Sequence, residues 1–137
     1  MPDIAHSAFD MISGMTPVLQ PGIFAFVTTQ DPALIAQLSS KAISTFQEVE
    51  GMSMLVPIAQ AKGSNLSTEH PMRCISLNVF SSLEGVGLTA AVASALAAHN
   101  IPCNMVAAYH HDHVFVPASM CNQAMQVLKS LQNDTLA

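Results

Sequence analysis

The sequence predicts an α+β protein in which one β-α-β-β-α unit occurs twice. Three observations lead there. Residues 73–81, "RCISLNVFS", set Ile75, Leu77 and Val79 on one face and Cys74, Ser76, Asn78 and Phe80 on the other, the alternation of a strand. Residues 88–99, "LTAAVASALAAH", then place Leu88, Ala91, Val92, Ala95 and Leu96 at helical spacing. Finally, "MLVPIAQA" (54–61) and "VFVPASMC" (114–121) align by their Val-Pro pairs, each where a strand is expected to give way to a helix. Such self-similarity marks an internal duplication.

The second copy is the more legible. After the strand, "SSLEGVG" (81–87) is a turn, and the alanine-rich helix that follows can sit close to a sheet. Asn100 and Pro102 end that helix. "IPCNMVAAY" (101–109) and "HVFVP" (113–117) read as two further strands around a run of histidines. A closing helix follows, with Ser119 as its expected N-cap and Met120, Ala124, Val127, Leu128 and Leu131 along one side.

The first copy repeats the order more faintly. "GIFAFVT" (22–28) is a strand. Asp31-Pro32 is an N-cap with proline at the first helical position, opening a short helix through Leu34, Ile35 and Leu38. Residues 42–57 fold as two strands about Glu50-Gly51, and Pro57 opens a brief helical segment ending near Gly63. Residues 3–20 are additional: an amphipathic helix carrying Ile4, Phe9 and Ile12, then "TPVLQ", a strand for either sheet. The expected division is 1–63 for the first domain with its N-terminal helix and strand, 64–71 for a linker, and 72–137 for the second domain. No final strand is evident in either copy, so "TPVLQ" or a neighbouring subunit is left to supply one.

Composition narrows the function classes. Of 137 residues half are hydrophobic and 9% charged, with a formal net charge of -5. The cations are Lys41, Lys62, Arg73 and Lys129, too few and too scattered for the basic stripe that nucleic acid requires. No apolar run approaches the ~20 residues of a membrane span, and the acidic "MPDIAHSAFDM" start is unlike a secretory signal. Cys74, Cys103 and Cys121 are odd in number and widely spaced, as expected of core thiols in a reducing cytoplasm. Sparse charge and nine methionines point to apolar surface covered by another copy, as a dimer or tetramer.

With these elements placed, "FSSLEGVGLTAA", "CNMVA" and "HDHVFVP" together resemble an ACT domain. The likeness is to the paired ACT domains at the regulatory end of aspartate kinases, and closer still to small bacterial proteins made of two ACT-like domains alone. It covers most of residues 22–132 and is most specific in the second half. The resemblance implies ferredoxin-like, βαββαβ-type domains with antiparallel sheets and helices on one face. It also implies an amino-acid site at the first strand-to-helix turn and the start of the second strand. Carried over, that site is Ser81, Ser82, Leu83, Glu84, Gly85, Val86, Gly87 and Leu88 with Cys103, Asn104 and Met105.

Elementary chemistry agrees with that loop. Gly85 and Gly87 permit close backbone approach, the N–H groups at the start of the 88–99 helix suit a carboxylate, and Glu84 or Asn104 suits an ammonium. The first copy has only Thr28, Thr29, Gln30 and Asp31 at the equivalent turn, so the second copy is expected to supply most of the site.

"YHHDHVFVP" (109–117) invites a metal reading through His111, Asp112 and His113. On a strand, however, His111 and His113 share one face while His110 and Asp112 take the other, and a third ligand is not evident. A polar hairpin turn is the simpler reading. Glu48 and Glu50 read as solvated turn acids rather than an acid–base pair, and the cysteines lack a basic activator. The expectation is a non-catalytic amino-acid-binding sensor or regulatory protein with no cofactor. The rivals are a small metal-dependent enzyme using the histidine hairpin, and a purely structural oligomerisation module.

Overall fold

A computed structural model describes residues 7–79 and 86–136. The elements are α1 (Ala8–Gly14), β1 (Pro17–Leu19), β2 (Phe24–Thr29), α2 (Pro32–Ser39), β3 (Ser44–Glu48) and β4 (Gly51–Pro57). Then come α3 (Ile58–Gly63), β5 (Met72–Leu77), α4 (Leu88–Ala97), β6 (Asn104–Ala107), β7 (Asp112–Pro117) and α5 (Cys121–Leu136). The described residues fall into two compact units. One is Gly22–Met72; the other joins the chain up to Pro21 with the chain from Arg73 onward.

In the Gly22–Met72 unit, antiparallel pairing gives the order β3-β4-β2, with Phe26 opposite Leu55 and Phe46 opposite Ser53. The β2 residues Ala25 and Val27 and the β4 residues Met54 and Val56 share one face and bury it against Leu38 of α2 and Ala61 of α3. Asp31 caps α2 as the sequence predicts, accepting the Ala33 N–H at 2.9 Å, with Pro32 in the first turn. Gly51 opens β4 with φ +152°, where a Cβ would lie 2.9 Å from the Thr29 carbonyl oxygen.

The other unit has the order β1-β5-β7-β6. Its core face alternates as the strand pattern requires. Ile75 and Leu77 from β5 and Val114 and Val116 from β7 are fully buried with Leu88, Val92 and Leu96 of α4 and Ala124 and Leu128 of α5. At the end of α4, Asn100 takes the left-handed conformation (φ 57°), and the Ile101 N–H reaches back 3.0 Å to the Leu96 carbonyl. This closes the last turn in the manner of a Schellman motif.

Three expectations are revised here. Residues 7–21 pack with the second copy, not the first: β1 pairs antiparallel with β5, Val18 opposite Ser76, and so fills the fourth strand position of a ferredoxin-like sheet. Met11 and Met15 anchor α1 in that unit's core, whereas Phe9, expected on the buried face, is exposed. Met11 and Met15, four residues apart, lie on the side of the chain that faces this core, and Phe9 does not. Ile4 lies outside the described residues. Ser119 does not cap α5 but sits inside a single 3-10 turn, Ala118–Met120, that follows Pro117.

The duplication shows in the backbone itself. Pro57 has φ -53° and ψ 138°, and Pro117 has φ -53° and ψ 136°. Each ends a strand and turns the chain into a helix over its own sheet.

Candidate functional site

The strand-to-helix connections of the two copies differ in length. In the first copy only Gln30 and Asp31 separate β2 from α2, and in the second, residues 78–87 separate β5 from α4. Ser81, Ser82, Leu83, Glu84 and Gly85, expected to bind a ligand, lie outside the described residues. What the structure describes is how the two ends of that loop are held.

Helix α1 reaches both ends. A Cβ on Gly14 would approach Val79 Cγ2 to 3.2 Å, and a Cβ on Gly87 would meet the Ala8 Cβ at 2.7 Å. Gly87 is the N-cap of α4 in a left-handed conformation, φ 112°, so both the backbone and the contact demand glycine. Ala8 and Gly14 are the small residues that permit this approach. Their role escapes sequence reasoning, since the signal is no more than two small residues at either end of one short helix.

The histidine hairpin meets the loop at its other side. Residues 108–111 form the turn between β6 and β7, closed by the Ala108 N–H to the His111 carbonyl at 3.0 Å. His111 Nδ1 lies 3.2 Å from the Val79 carbonyl oxygen. A carbonyl only accepts, so that nitrogen carries the proton. The hairpin therefore sits at the end of the sheet where β5 finishes and the 78–87 connection begins.

His113 is held by a different set. Gln20 Nε2 donates to Ser76 Oγ at 3.1 Å, and Ser76 Oγ stands 2.7 Å from His113 Nδ1. Ser76 Oγ thus accepts from Gln20 and shares a second hydrogen bond with the His113 ring. Burial pushes the His113 pKa down, the nearby His111 adds to this, and Asp112 partly opposes it. The Gln20–Ser76–His113 chain was not anticipated. Its signal in the sequence is a serine at a strand position that proves fully enclosed.

The remaining expected ligand residues are dispersed. Val86 is exposed, while Leu88 is 3% exposed and belongs to the core, so only its backbone faces the loop. Cys103 and Met105 pack against the core. Asn104 spends its side-chain amide on the Phe115 carbonyl at 3.2 Å. These three open β6 opposite Phe115, at the far end of the strand from Ala107 and Asp112. Within one unit, the start of β6 and the loop beside Gly87 are therefore not brought together.

Among the described residues, no three His, Cys, Asp or Glu side chains are grouped to hold a metal ion. His111 and His113 each have Nδ1 turned to a protein partner. The thiols of Cys74 and Cys103 are pushed up by burial, that of Cys74 partly offset by its hydrogen bond with Ser76. Both are thereby held as thiols and away from the nucleophilic thiolate.

The first copy has a turn of its own between β2 and α2. Gln30 Nε2 donates to the Glu50 carbonyl at 2.9 Å, closing the short turn onto the β3–β4 hairpin. Beside it lies a cleft of about 200 Å³ with Ile35, Gln47 and Met52 in its walls. Glu48 does not pair with Glu50 but accepts a hydrogen bond from Ser53 Oγ.

Two α+β units, each with a strand-to-helix junction and a hairpin at one end of an antiparallel sheet, define a tandem arrangement of ferredoxin-like domains. Two models of the ACT domain match the chain, one over residues 9–73 and one over residues 69–130. A protein of unknown function from Vibrio cholerae, described as a possible transport protein, is 33% identical, with a TM-score of 0.79 over 91% of this chain and 94% of that one. The chain belongs to the ACT-domain family and carries two ACT domains in tandem.

More distant neighbours share the fold. The regulatory subunit of aspartate kinase from Thermus flavus is 14% identical, with a TM-score of 0.54 over 85% of this chain and 96% of that one. A putative C-terminal regulatory domain of aspartate kinase from Porphyromonas gingivalis is also 14% identical, with a TM-score of 0.55 over 85% and 95%. No functionally curated protein matches the chain. Among the described residues, no helix is long and apolar enough to cross a membrane.

Proposed function

We propose that this protein is a non-catalytic sensor or regulatory module that binds an amino acid or a similar small ligand. The observation that carries this reading is the contrast between the two strand-to-helix connections. In the second copy ten positions, 78–87, lie between β5 and α4, where the first copy has only Gln30 and Asp31 between β2 and α2. The described residues at the two ends, Val79 and Gly87, meet α1, and Val79 also meets the His111 hairpin. Backbone N–H groups at the start of α4 are suited to receive a carboxylate.

Membership of the ACT-domain family and the fold shared with aspartate-kinase regulatory subunits support the same reading. Ser81 to Leu88 are the residues proposed to contact the ligand. Asn104 and its neighbours at the start of β6 would join them only from another copy. The protein is proposed to work in the cytoplasm as a homo-oligomer, without a cofactor, and to bind neither nucleic acid nor membrane.

Binding shifts an equilibrium only by the ligand's differential affinity for two states. Titration calorimetry with each of the twenty amino acids, paired with thermal-shift measurements, is therefore the direct test. One or a few should give saturable heat and a raised melting temperature. Absence of both for all twenty removes the amino-acid reading. Elemental analysis of untagged protein tests the metal-enzyme alternative separately, since bound metal at stoichiometric level would favour it.

A further inference from the structure

The outer edge of the Gly22–Met72 sheet is β3, which pairs with β4 on one side and, among the described residues, with no strand on the other. Glu48 and Gly51 flank a two-residue turn and are the closing pair of a tight hairpin, which exchanges backbone hydrogen bonds. Phe46–Ser53 and Ser44–Leu55 follow at the same spacing, and the Ile43 N–H also reaches the Leu55 carbonyl at 2.9 Å. Thr45 and Gln47 lie between these pairs, so their N–H and C=O groups point outward from the sheet.

Natural proteins protect such an edge with lysine, proline or a covering segment. Residues 43–49, "ISTFQEV", hold no lysine and no proline. Their one charge, on Glu48, is engaged by Ser53 Oγ. Instead the edge presents apolar side chains to water: Ile43 is 52% exposed, Phe46 73% and Val49 99%. Phe46 lies opposite Ser53, on the sheet face away from Met54 and Val56 and the helices that cover them. β6, at the other end of the strand order, is a residue shorter, and its Met105 and Val106 are half-buried.

The residues of β3 complement their own image. Turned about a two-fold axis through Phe46, the strand meets itself antiparallel. Thr45 then faces Gln47 of the other molecule, and Gln47 faces its Thr45, so every outward backbone group between them gains a partner. Phe46 meets Phe46 at a non-hydrogen-bonded position, where side chains across a ladder come closest. Ile43 and Val49, at opposite ends of the strand, are brought together, and the Ser44 hydroxyl meets the Glu48 carboxylate. No charge faces its like.

We propose that β3 pairs in this register with β3 of a second molecule of this chain, continuing the first-copy sheet across a dimer. One strand from each side makes a contact near or below about 1,200 Å² in total, the size of a reversible association. The two ACT domains thereby divide their roles. The first, with only Gln30 and Asp31 between β2 and α2, assembles, and the second carries the proposed ligand loop. This deepens the proposed self-association and is independent of amino-acid binding, so a failed amino-acid titration leaves it standing.

The experiment is sedimentation velocity over a concentration series on the full chain and three variants. The unaltered protein should pass from monomer to dimer as concentration rises. Phe46→Lys alone and Phe46→Glu alone should each remain monomeric, because each sets like charges against one another at the axis. Mixing the two in equal amounts should restore a heterodimer, which only a contact of residue 46 with itself explains. Thr45→Pro removes an outward N–H that β4 does not use and should also abolish the dimer. Both positions are exposed, and circular dichroism checks that the variants are folded. A protein monomeric at every concentration overturns both the self-association and its placement. A dimer indifferent to all three variants keeps self-association and overturns its placement at β3, as do folded monomeric charge variants that do not rescue each other.

Discussion

Ser76 Oγ lies 2.7 Å from His113 Nδ1, across two neighbouring strands of the second-copy sheet. The same hydroxyl receives a hydrogen from Gln20, three positions past the start of β1. One buried serine thus ties the N-terminal segment to the histidine hairpin. Ser76→Ala strands a donor on Gln20 and a ring nitrogen on His113, a change that costs about 1–3 kcal/mol when the groups cannot reach water. Urea unfolding should show a loss in that range, and a Ser76→Ala protein as stable as the original would mean that water replaces the hydroxyl.

The stability of this unit should depend on pH through His113. Its pKa is lowered in the fold by burial, with His111 adding and Asp112 opposing, while in the unfolded chain it sits near its ordinary value of about 6.5. Between the two values the unfolded chain holds the extra proton, so stability rises with pH. The contribution is complete above about 6.5 and is lost as acidification carries the solution down to the folded pKa. Unfolding midpoints measured from neutral pH downward should fall, and His113→Gln should flatten that part of the profile.

Gly87 should not tolerate a side chain. The backbone conformation alone disfavours Gly87→Ala by about 1–3 kcal/mol, and the new Cβ would overlap that of Ala8 at 2.7 Å. The paired change with Ala8→Gly separates the two causes. It should recover the share due to overlap and leave the share due to φ, as read from a double-mutant cycle of unfolding free energies.

Disturbing the start of the chain should loosen the second copy and spare the first. Met11 is 1% exposed within the second-copy core, and Met11→Ala should cost about 2–5 kcal/mol. Hydrogen exchange should then quicken in β5, α4 and α5 while α2 and β4 keep their protection. A uniform loss across both units would show that they unfold as one.

The Asp31 cap gives the matching control. Asp31→Ala leaves the Ala33 N–H without its 2.9 Å partner and should cost about 1 kcal/mol, read as faster exchange in α2 with little change in α5.

What could be read from the sequence was whatever rests on local rules. The Asp31-Pro32 start of α2, the hairpin at Glu50-Gly51 and the twin Val-Pro junctions are set by residues within a turn of each other, and the structure has them where they were expected. The partner of "TPVLQ" was open between two sheets because alternation along a strand says which face is buried and not which neighbour it joins. Phe9 misled because a helix of seven residues offers two apolar stripes, and only the pairing of β1 with β5 selects the one bearing Met11. The candidate site divides along the same line. Gly87 announces itself as a glycine before a helix, whereas Ala8, Gln20 and Ser76 acquire their roles from residues 37 or more positions away.

The position of β1 also has a consequence for how the chain is made. Gln132 Nε2 donates to the Ser13 carbonyl at 2.7 Å, a bond spanning 119 residues. At roughly 5–20 residues per second of synthesis, Ser13 waits about 6–24 s for its partner to be translated. During that interval Gly22–Met72 gains all the residues of its own sheet and core, while β1 must wait for β5, and Met11 and Met15 for α4 and α5, to complete theirs. A segment translated before Gly22–Met72 is thus completed after it, and a chaperone that shields short apolar segments would have a long opportunity there.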